Sequence, residues 1–145
     1  MMNISEIMTQ PVLTVGLDDS VSDIEEIFIK SKVRHIVVVE EGELFGVVSE
    51  RDLLRAMNPY LEARIYTTRD LAALNQRVHQ IVIRKPIALN VNASIYDVIK
   101  TFKNKRVGCI PILDDNNWPV GVVTRGDIFK FFDEICADYF IGTIS

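Results

Sequence analysis

Two near-identical stretches of this 145-residue chain pair a hydroxyl residue with an aspartate three positions later. "GVVSERD" contains Ser49 and Asp52, and "GVVTRGD" contains Thr124 and Asp127, 75 residues further along. Each stretch leads from an apolar, strand-like run into a helix-like run, and a helix start offers unpaired N–H groups that bind anions. The hydroxyl can add a hydrogen bond to a phosphate oxygen, and the carboxylate can accept two from a ribose diol. Phosphate and ribose together indicate a nucleotide.

The same spacing is also typical of a capping box, in which a Ser or Thr and an acidic residue close the start of a helix. Under this interpretation the two stretches are folding signals, and Gly46 and Gly121 let a neighbouring backbone approach closely. The box is usually completed by Glu or Gln, whose longer side chain reaches back further, so aspartate in both copies favours ligand binding. Asp52 and Asp127 are therefore the stronger candidates for ligand contacts.

Both stretches belong to a longer internal repeat. "DSVSDIEEIFIKSKVRHIVVV" matches "ASIYDVIKTFKNKRVGCIPIL", and "PVLTV" and "PIALNV" precede them. Periodicity predicts a strand, a helix, two strands joined by a turn and a closing helix in each copy. We therefore expect an α/β (α+β) fold of two β-α-β-β-α repeats. The predicted first repeat spans residues 1–62, a helical connector 63–77, and the second repeat 78–145.

Composition argues against several other classes. The net charge of −4 does not suit a duplex nucleic-acid binder. The chain has no GxSxG, P-loop or HExxH pattern, and its two cysteines and two histidines are dispersed, so neither catalysis nor a metal site is predicted. Its apolar runs are too short to cross a bilayer and its first residues lack a signal pattern. We expect a cytoplasmic protein with no membrane partner.

From about Ser5 to about Asp133 the chain resembles a tandem pair of cystathionine-β-synthase (CBS) domains. The segments that carry the resemblance are "ISEIMTQPVLTVGLDDSVSDI", "KVRHIVVVEEGELFGVVSERDLLRAM" and "RVGCIPILDDNNWPVGVVTRGDIFKFF". The resemblance implies pseudo-twofold packing of the repeats and clefts that bind AMP, ADP or ATP, or another adenosyl ligand such as S-adenosylmethionine, NAD or a cyclic dinucleotide. It also implies a homodimer that regulates a separate effector protein and is not an enzyme.

The resemblance also assigns residues to parts of the ligand. Asp52 and Asp127 match the ribose-binding aspartate, and Ser49 and Thr124 match the hydroxyl near the phosphate. The strand that brackets the ligand in each repeat is matched by Arg34, His35, Ile36, Ile110 and Pro111. The strand that lines the adenine side is matched by Thr14, Ile87 and Ala88.

The two predicted sites differ in charge. Arg34 and His35 can contact a phosphate, whereas Gly108 and Cys109 stand in their places in the second repeat. Arg106 and Arg125 are the cations available there, so we expect unequal sites. His35 could equally be a core or interface residue, and its titration could make binding sensitive to pH.

Two alternatives stay open at this point. A dimerisation or scaffold module would use the same fold with empty clefts. Basic clusters before each central strand, formed by Lys30, Lys32 and Arg34 and by Lys103, Lys105 and Arg106, are the one feature that favours a nucleic-acid-binding regulator.

Overall fold

A computed structural model describes residues 3–57, 76–84 and 86–144. Along these ranges the elements are α1 (Ile4–Ile7), β1 (Thr14–Gly16), α2 (Val21–Lys30), β2 (His35–Glu40), β3 (Glu43–Ser49), α3 (Glu50–Met57), a 3-10 turn (Val78–Gln80), β4 (Ile83–Arg84), β5 (Leu89–Asn90), α4 (Ile95–Asn104), β6 (Cys109–Leu113), β7 (Pro119–Thr124) and α5 (Arg125–Ile144). Each half thus contains the predicted β-α-β-β-α order. Most of the predicted connector over 63–77 lies outside the described residues.

The chain forms two compact units. The first-repeat unit is Leu13–Pro86, and the second-repeat unit combines Met1–Val12 with Ile87–Ser145. The segment that precedes β1 therefore belongs with the second repeat, which the sequence did not indicate. The boundaries predicted at residues 62 and 78 stay a prediction.

The first-repeat unit contains a four-stranded sheet in the order β1-β2-β3-β4. β1 runs parallel to β2, with Thr14 opposite Val37, and β3 runs antiparallel to β2. The β2–β3 turn has positive φ at both Glu41 (53°) and Gly42 (84°), which matches the twist of a tight hairpin. Buried β2 side chains form a core with α2, so the unbroken apolar run in "HIVVV" is explained by burial on both faces.

The second-repeat unit contains the corresponding three-stranded sheet, β5-β6-β7. β5 is parallel to β6 and β7 is antiparallel to it. The core side chains are Ile4, Val98, Ile110, Ile112 and Val123, all without exposed surface. Ile4 comes from α1, so the N-terminal segment contributes directly to the core of this unit.

A backbone pair fixes the N-terminal segment against β7. The Thr9 N–H donates to the Val122 carbonyl at 2.8 Å, and the Val122 N–H donates to the Thr9 carbonyl at 3.2 Å. A Cβ on Gly121 would lie 2.6 Å from Met8 Sδ and 3.0 Å from the Thr9 carbonyl oxygen. The close approach predicted for Gly121 is therefore present, and its partner is the N-terminal segment.

Candidate functional site

Ser49 and Asp52 form a closed capping box at the start of α3. Ser49 ends β3, and its N–H donates to Asp52 Oδ2 at 2.9 Å. The Asp52 N–H donates back to Ser49 Oγ at 3.0 Å. The box satisfies two backbone N–H groups that a helix start would otherwise leave unpaired.

Thr124 and Asp127 repeat this arrangement at the start of α5. The Thr124 N–H donates to Asp127 Oδ2 at 2.9 Å, and the Asp127 N–H donates to Thr124 Oγ1 at 3.3 Å. The Thr9 hydroxyl of the N-terminal segment also lies 3.4 Å and 3.5 Å from the two carboxylate oxygens of Asp127. Asp127 is thus in contact with a segment more than a hundred residues away in the sequence.

The expectation that aspartate closes a capping box less well than glutamate is wrong for this chain. Ser20 with Asp23 and Ser94 with Asp97 form the same reciprocal box at α2 and α4, with distances of 3.0 to 3.2 Å. The curvature of the first helical turn brings the third residue close enough for the shorter side chain to reach. Aspartate at this position is therefore no sign of a ligand by itself.

Burial distinguishes the two repeated aspartates from the other two. Asp52 and Asp127 are half-buried, whereas Asp23 and Asp97 are exposed. A half-buried carboxylate is partly removed from water, and its interactions with a polar ligand are less screened. Asp52 and Asp127 therefore stay the candidates for binding, on grounds that the sequence did not provide.

The first-repeat unit brings an arginine and a histidine to the same end of the β2–β3 pair. His35 lies directly opposite Ser49 in the register, and Arg34 precedes it, with its carbonyl accepting the Glu50 N–H at 3.0 Å. Burial lowers the pKa of His35 below its ordinary value, and the neighbouring charge of Arg34 lowers it further. The Asp52 carboxylate opposes both by raising the pKa. Arg34, His35, Ser49 and Asp52 therefore form one polar cluster, which we call the α3 cluster.

The second-repeat unit has no cation in the corresponding strand positions. Cys109 is buried opposite Thr124, and exposed Gly108 precedes it. The Arg125 guanidinium donates to the Val107 carbonyl at 2.5 Å and lies 5.0 Å above the Phe102 ring, a distance typical of a cation–π contact. These contacts hold Arg125 against its own unit.

Three of the other predicted site residues are buried. The side chains of Ile36 and Ile110 have no exposed surface and belong to the two cores. Pro111 is buried in β6 opposite Val122. Contact of these three buried residues with a ligand stays a prediction.

The predicted adenine-side residues lie at the starts of the first strands. Thr14 is exposed as the first residue of β1, and Ile87 and Ala88 are half-buried just before β5. Their contact with adenine stays a prediction.

A cavity of about 300 Å³ lies within the second-repeat unit, and the sequence did not predict it. Its wall consists of residues 6–10 of the N-terminal segment and of Asp127, Lys130, Phe131 and Glu134 of α5. We call it the α5 cavity. The close approach of the N-terminal segment to β7 forms this cavity, and its one signal in the sequence was the small residue Gly121 within an apolar strand. That signal did not identify which segment approaches.

Within the part of the chain that the structure describes, no cluster of His, Cys, Asp and Glu side chains is arranged to hold a metal ion. None of the helices found there combines the length and the apolar composition that crossing a membrane requires.

The repeated units and their helix-start motifs correspond to a known class of domain. A family model described as "CBS domain" matches residues 4–59 and again residues 78–134. The chain therefore belongs to the CBS-domain family and contains a tandem pair of these domains. The resemblance seen in the sequence and the predicted fold class are both confirmed.

One relative and two solved structures illustrate the similarity. The protein MJ1232 of Methanocaldococcus jannaschii is 24% identical over 127 residues, which cover 88% of this chain and 38% of that protein. The chain thus spans well under half the length of this relative. The CBS domain pair of protein MJ0100, in complex with 5′-methylthioadenosine and S-adenosyl-L-methionine, has a TM-score of 0.73 and 25% identity, covering 92% of this chain and 97% of that one.

CBSX2 in complex with AMP has a TM-score of 0.75 and 22% identity, covering 93% of this chain and 98% of that one. At that identity the similarity is one of fold.

Proposed function

We propose that this chain is a regulatory module that binds an adenine nucleotide of the AMP, ADP or ATP type and acts on a separate partner protein in the cytoplasm. The observation that carries the proposal is the α3 cluster, in which a half-buried aspartate at a helix start adjoins a histidine and an arginine. Its role is binding and regulation, and we propose no catalytic one.

The α3 cluster has the groups that a nucleotide requires. Asp52 Oδ2 accepts the Ser49 N–H, and within the described residues Oδ1 has no hydrogen bond. A carboxylate offers about four lone pairs, so Asp52 can close the box and still accept ribose hydroxyls. Capping and ligand binding are therefore compatible at the same residue.

The phosphate would be held by positive groups of the same cluster. The start of α3 carries the positive end of the helix dipole. Arg34 provides a permanent cation, and His35 becomes one when a phosphate beside it favours the protonated imidazole. These groups together support a nucleotide with at least one phosphate in the first-repeat unit.

Related structures support an adenosine-containing ligand. The CBS pair of MJ0100 is in complex with two adenosine derivatives, neither of which carries a phosphate. CBSX2, in complex with AMP, shares the fold, and this support is an analogy of fold alone. The adenosine part is common to all three ligands.

Regulation requires that a ligand bind two states of the chain unequally, or that the partner do so. We infer that the partner distinguishes the ligand-bound chain from the ligand-free chain. Occupancy of the α3 cluster then sets the fraction of the chain that is in the ligand-bound form. Binding of the partner would then depend on the concentration of the nucleotide.

The experiment is a thermal-shift titration with AMP, ADP, ATP, NAD, a cyclic dinucleotide and S-adenosylmethionine. A ligand at about 100 times its dissociation constant should stabilise the fold by about 2.7 kcal/mol. Asp52→Asn should abolish the shift produced by AMP. Asp97→Asn is the matched control, because Asp97 closes the same type of box on an exposed helix. Absence of any shift, or an equal loss in both variants, would contradict the proposal.

A homodimeric scaffold is the second candidate. Along α5, Phe129, Phe132, Tyr139 and Phe140 are 71%, 61%, 67% and 59% exposed. Large apolar patches of this kind commonly mark contact surfaces. We propose that α5 forms a homodimer contact. This contact is compatible with ligand binding, and dimerisation would be the main role if the chain binds no ligand.

A further inference from the structure

The α5 cavity has an excess of negative charge. Glu6, Asp127 and Glu134 contribute three carboxylates to its wall, and Lys130 contributes the single cation among the described lining residues. Asp127 is half-buried, whereas Glu6, Lys130 and Glu134 are exposed. A cleft lined mainly by one sign of charge focuses its field on a ligand.

The nearest cation at the helix start does not reverse this balance. Arg125 is bonded to the Val107 carbonyl and lies over the Phe102 ring, and neither of those residues lines the cavity. At the strand positions where the α3 cluster has Arg34 and His35, the second-repeat unit has Gly108 and Cys109. Arg34 therefore accompanies Asp52 in the α3 cluster, whereas the described wall around Asp127 contains two further carboxylates and one lysine.

The size of the cavity also restricts its ligand. Its volume of about 300 Å³ lies at the lower end of the range for small-molecule sites, roughly 300–1,000 Å³. The volume suits one ligand of about nucleoside size, and S-adenosylmethionine is larger than AMP, so the selection between these ligands must come from charge.

We propose that the α5 cavity selects an adenosine derivative without a 5′-phosphate, either uncharged or positively charged at that position. The inference rests on the proposed function, since it takes Asp127 as the ribose-binding carboxylate. A phosphate would lie among three carboxylates and be repelled, whereas a thioether is tolerated and a sulfonium is attracted. The α3 cluster, with Arg34 and His35, takes the phosphate-bearing ligand.

Thr9 provides a replaceable partner for Asp127. Its hydroxyl lies at 3.4 Å and 3.5 Å from the carboxylate oxygens, the long limit for a hydrogen bond. Two ribose hydroxyls at ordinary distances would be better donors. Asp127 can therefore exchange Thr9 for a ligand without losing its box with Thr124.

The test is isothermal titration of the full chain carrying Asp52→Asn, which leaves the α5 cavity as the site to be measured. Asparagine retains an acceptor for the Ser49 N–H, and the melting temperature checks the fold. We expect 5′-methylthioadenosine and S-adenosylmethionine to bind at least about tenfold more tightly than AMP.

Charge reversal in the wall separates electrostatics from shape. Glu134→Lys in the Asp52→Asn chain should tighten AMP binding about tenfold and weaken S-adenosylmethionine binding. Asp138→Lys is the control, because Asp138 lies one turn further along α5, is exposed and does not line the cavity. It should change either affinity much less.

The outcomes distinguish the two proposals. If wild type binds AMP but the Asp52→Asn chain binds AMP as tightly as 5′-methylthioadenosine, or binds no adenosine derivative, the charge-selection inference is overturned and the proposed function stands. If wild type binds no adenosine derivative at all, the proposed function fails and this inference fails with it.

Discussion

The carboxylate of Asp52 raises the pKa of His35 against the burial that lowers it. The two residues meet because His35 lies opposite Ser49 in the β2–β3 register and Asp52 follows in the first turn of α3. The first-repeat unit therefore couples a partly buried imidazole with a lowered pKa to the carboxylate proposed to bind ribose. In the second-repeat unit Cys109 takes the position of His35, opposite Thr124.

The titration of His35 should show this coupling. We expect its pKa below the ordinary value of about 6.5, and lower still in Asp52→Asn, because the variant removes the charge that raises it. Proton NMR of the imidazole C2–H gives both values, with His35→Gln to assign the signal. A pKa that rises in Asp52→Asn would contradict the assignment.

The same shift makes the fold sensitive to acid. Because the folded pKa of His35 is lowered, the unfolded chain binds the proton more readily, and the unfolding free energy increases with pH across that window. Stability from His35 is complete above about pH 6.5 and declines as the pH falls toward the folded pKa. Urea denaturation at several pH values should show a smaller decline in His35→Gln than in wild type. An equal decline in both chains would assign the acid sensitivity to other groups.

Matched serine variants should separate capping from binding. Ser49→Ala and Ser94→Ala each remove the N-cap hydroxyl of a closed box. Each should lower the unfolding free energy by about 0.5–2 kcal/mol. Only Ser49→Ala should also weaken AMP binding, as measured by isothermal titration at matched temperature. Equal affinities in the two variants would mean that Ser49 serves the helix alone.

Gly121 should be among the least replaceable glycines. In Gly121→Ala the new methyl would collide with Met8 and the Thr9 carbonyl, so the N-terminal segment must shift. We expect a loss of about 1–3 kcal/mol, typical of overpacking, and faster hydrogen exchange of the Thr9 N–H. Gly126→Ala is the control, since its Cβ would lie 3.5 Å from Thr124 Oγ1 in ordinary contact and alanine favours a helix. A Gly121→Ala chain as stable as wild type would contradict the close packing.

Most of the fold could be predicted from local sequence patterns. The duplicated periodicity, the Ser-x-x-Asp helix starts and the turn at Gly42 are each fixed by neighbouring residues, and the structure contains all of them. The contact of Thr9 with Val122 joins two segments with no shared periodicity, so the docking of the N-terminal segment could not be predicted. The α5 cavity depends on that docking and was missed for the same reason.

Prediction of the candidate site from the sequence was limited in a similar way. Spacing selected Asp52 and Asp127, but the same Ser-x-x-Asp spacing at Asp23 and Asp97 closes equivalent boxes, so spacing alone does not separate binding from capping. Burial separates the pairs, and burial depends on how each helix start lies against its sheet. Ile36 was named for its position beside a predicted ligand, yet its side chain lies in the core, because a strand covered on both faces directs both sets of side chains inward.

The exposed aromatic face of α5 should set the oligomeric state. Phe132→Glu places a charge in the centre of the stripe and should convert a dimer to a monomer in sedimentation velocity at micromolar concentration, because burying an unpaired charge is strongly unfavourable. Ile29→Glu is the control, since Ile29 is equally apolar and 74% exposed but lies on α2. A wild-type chain that sediments as a monomer, or a dimer lost equally in Ile29→Glu, would show that α5 is not the contact. Retention of AMP binding by monomeric Phe132→Glu would then establish that the α3 cluster functions within one chain.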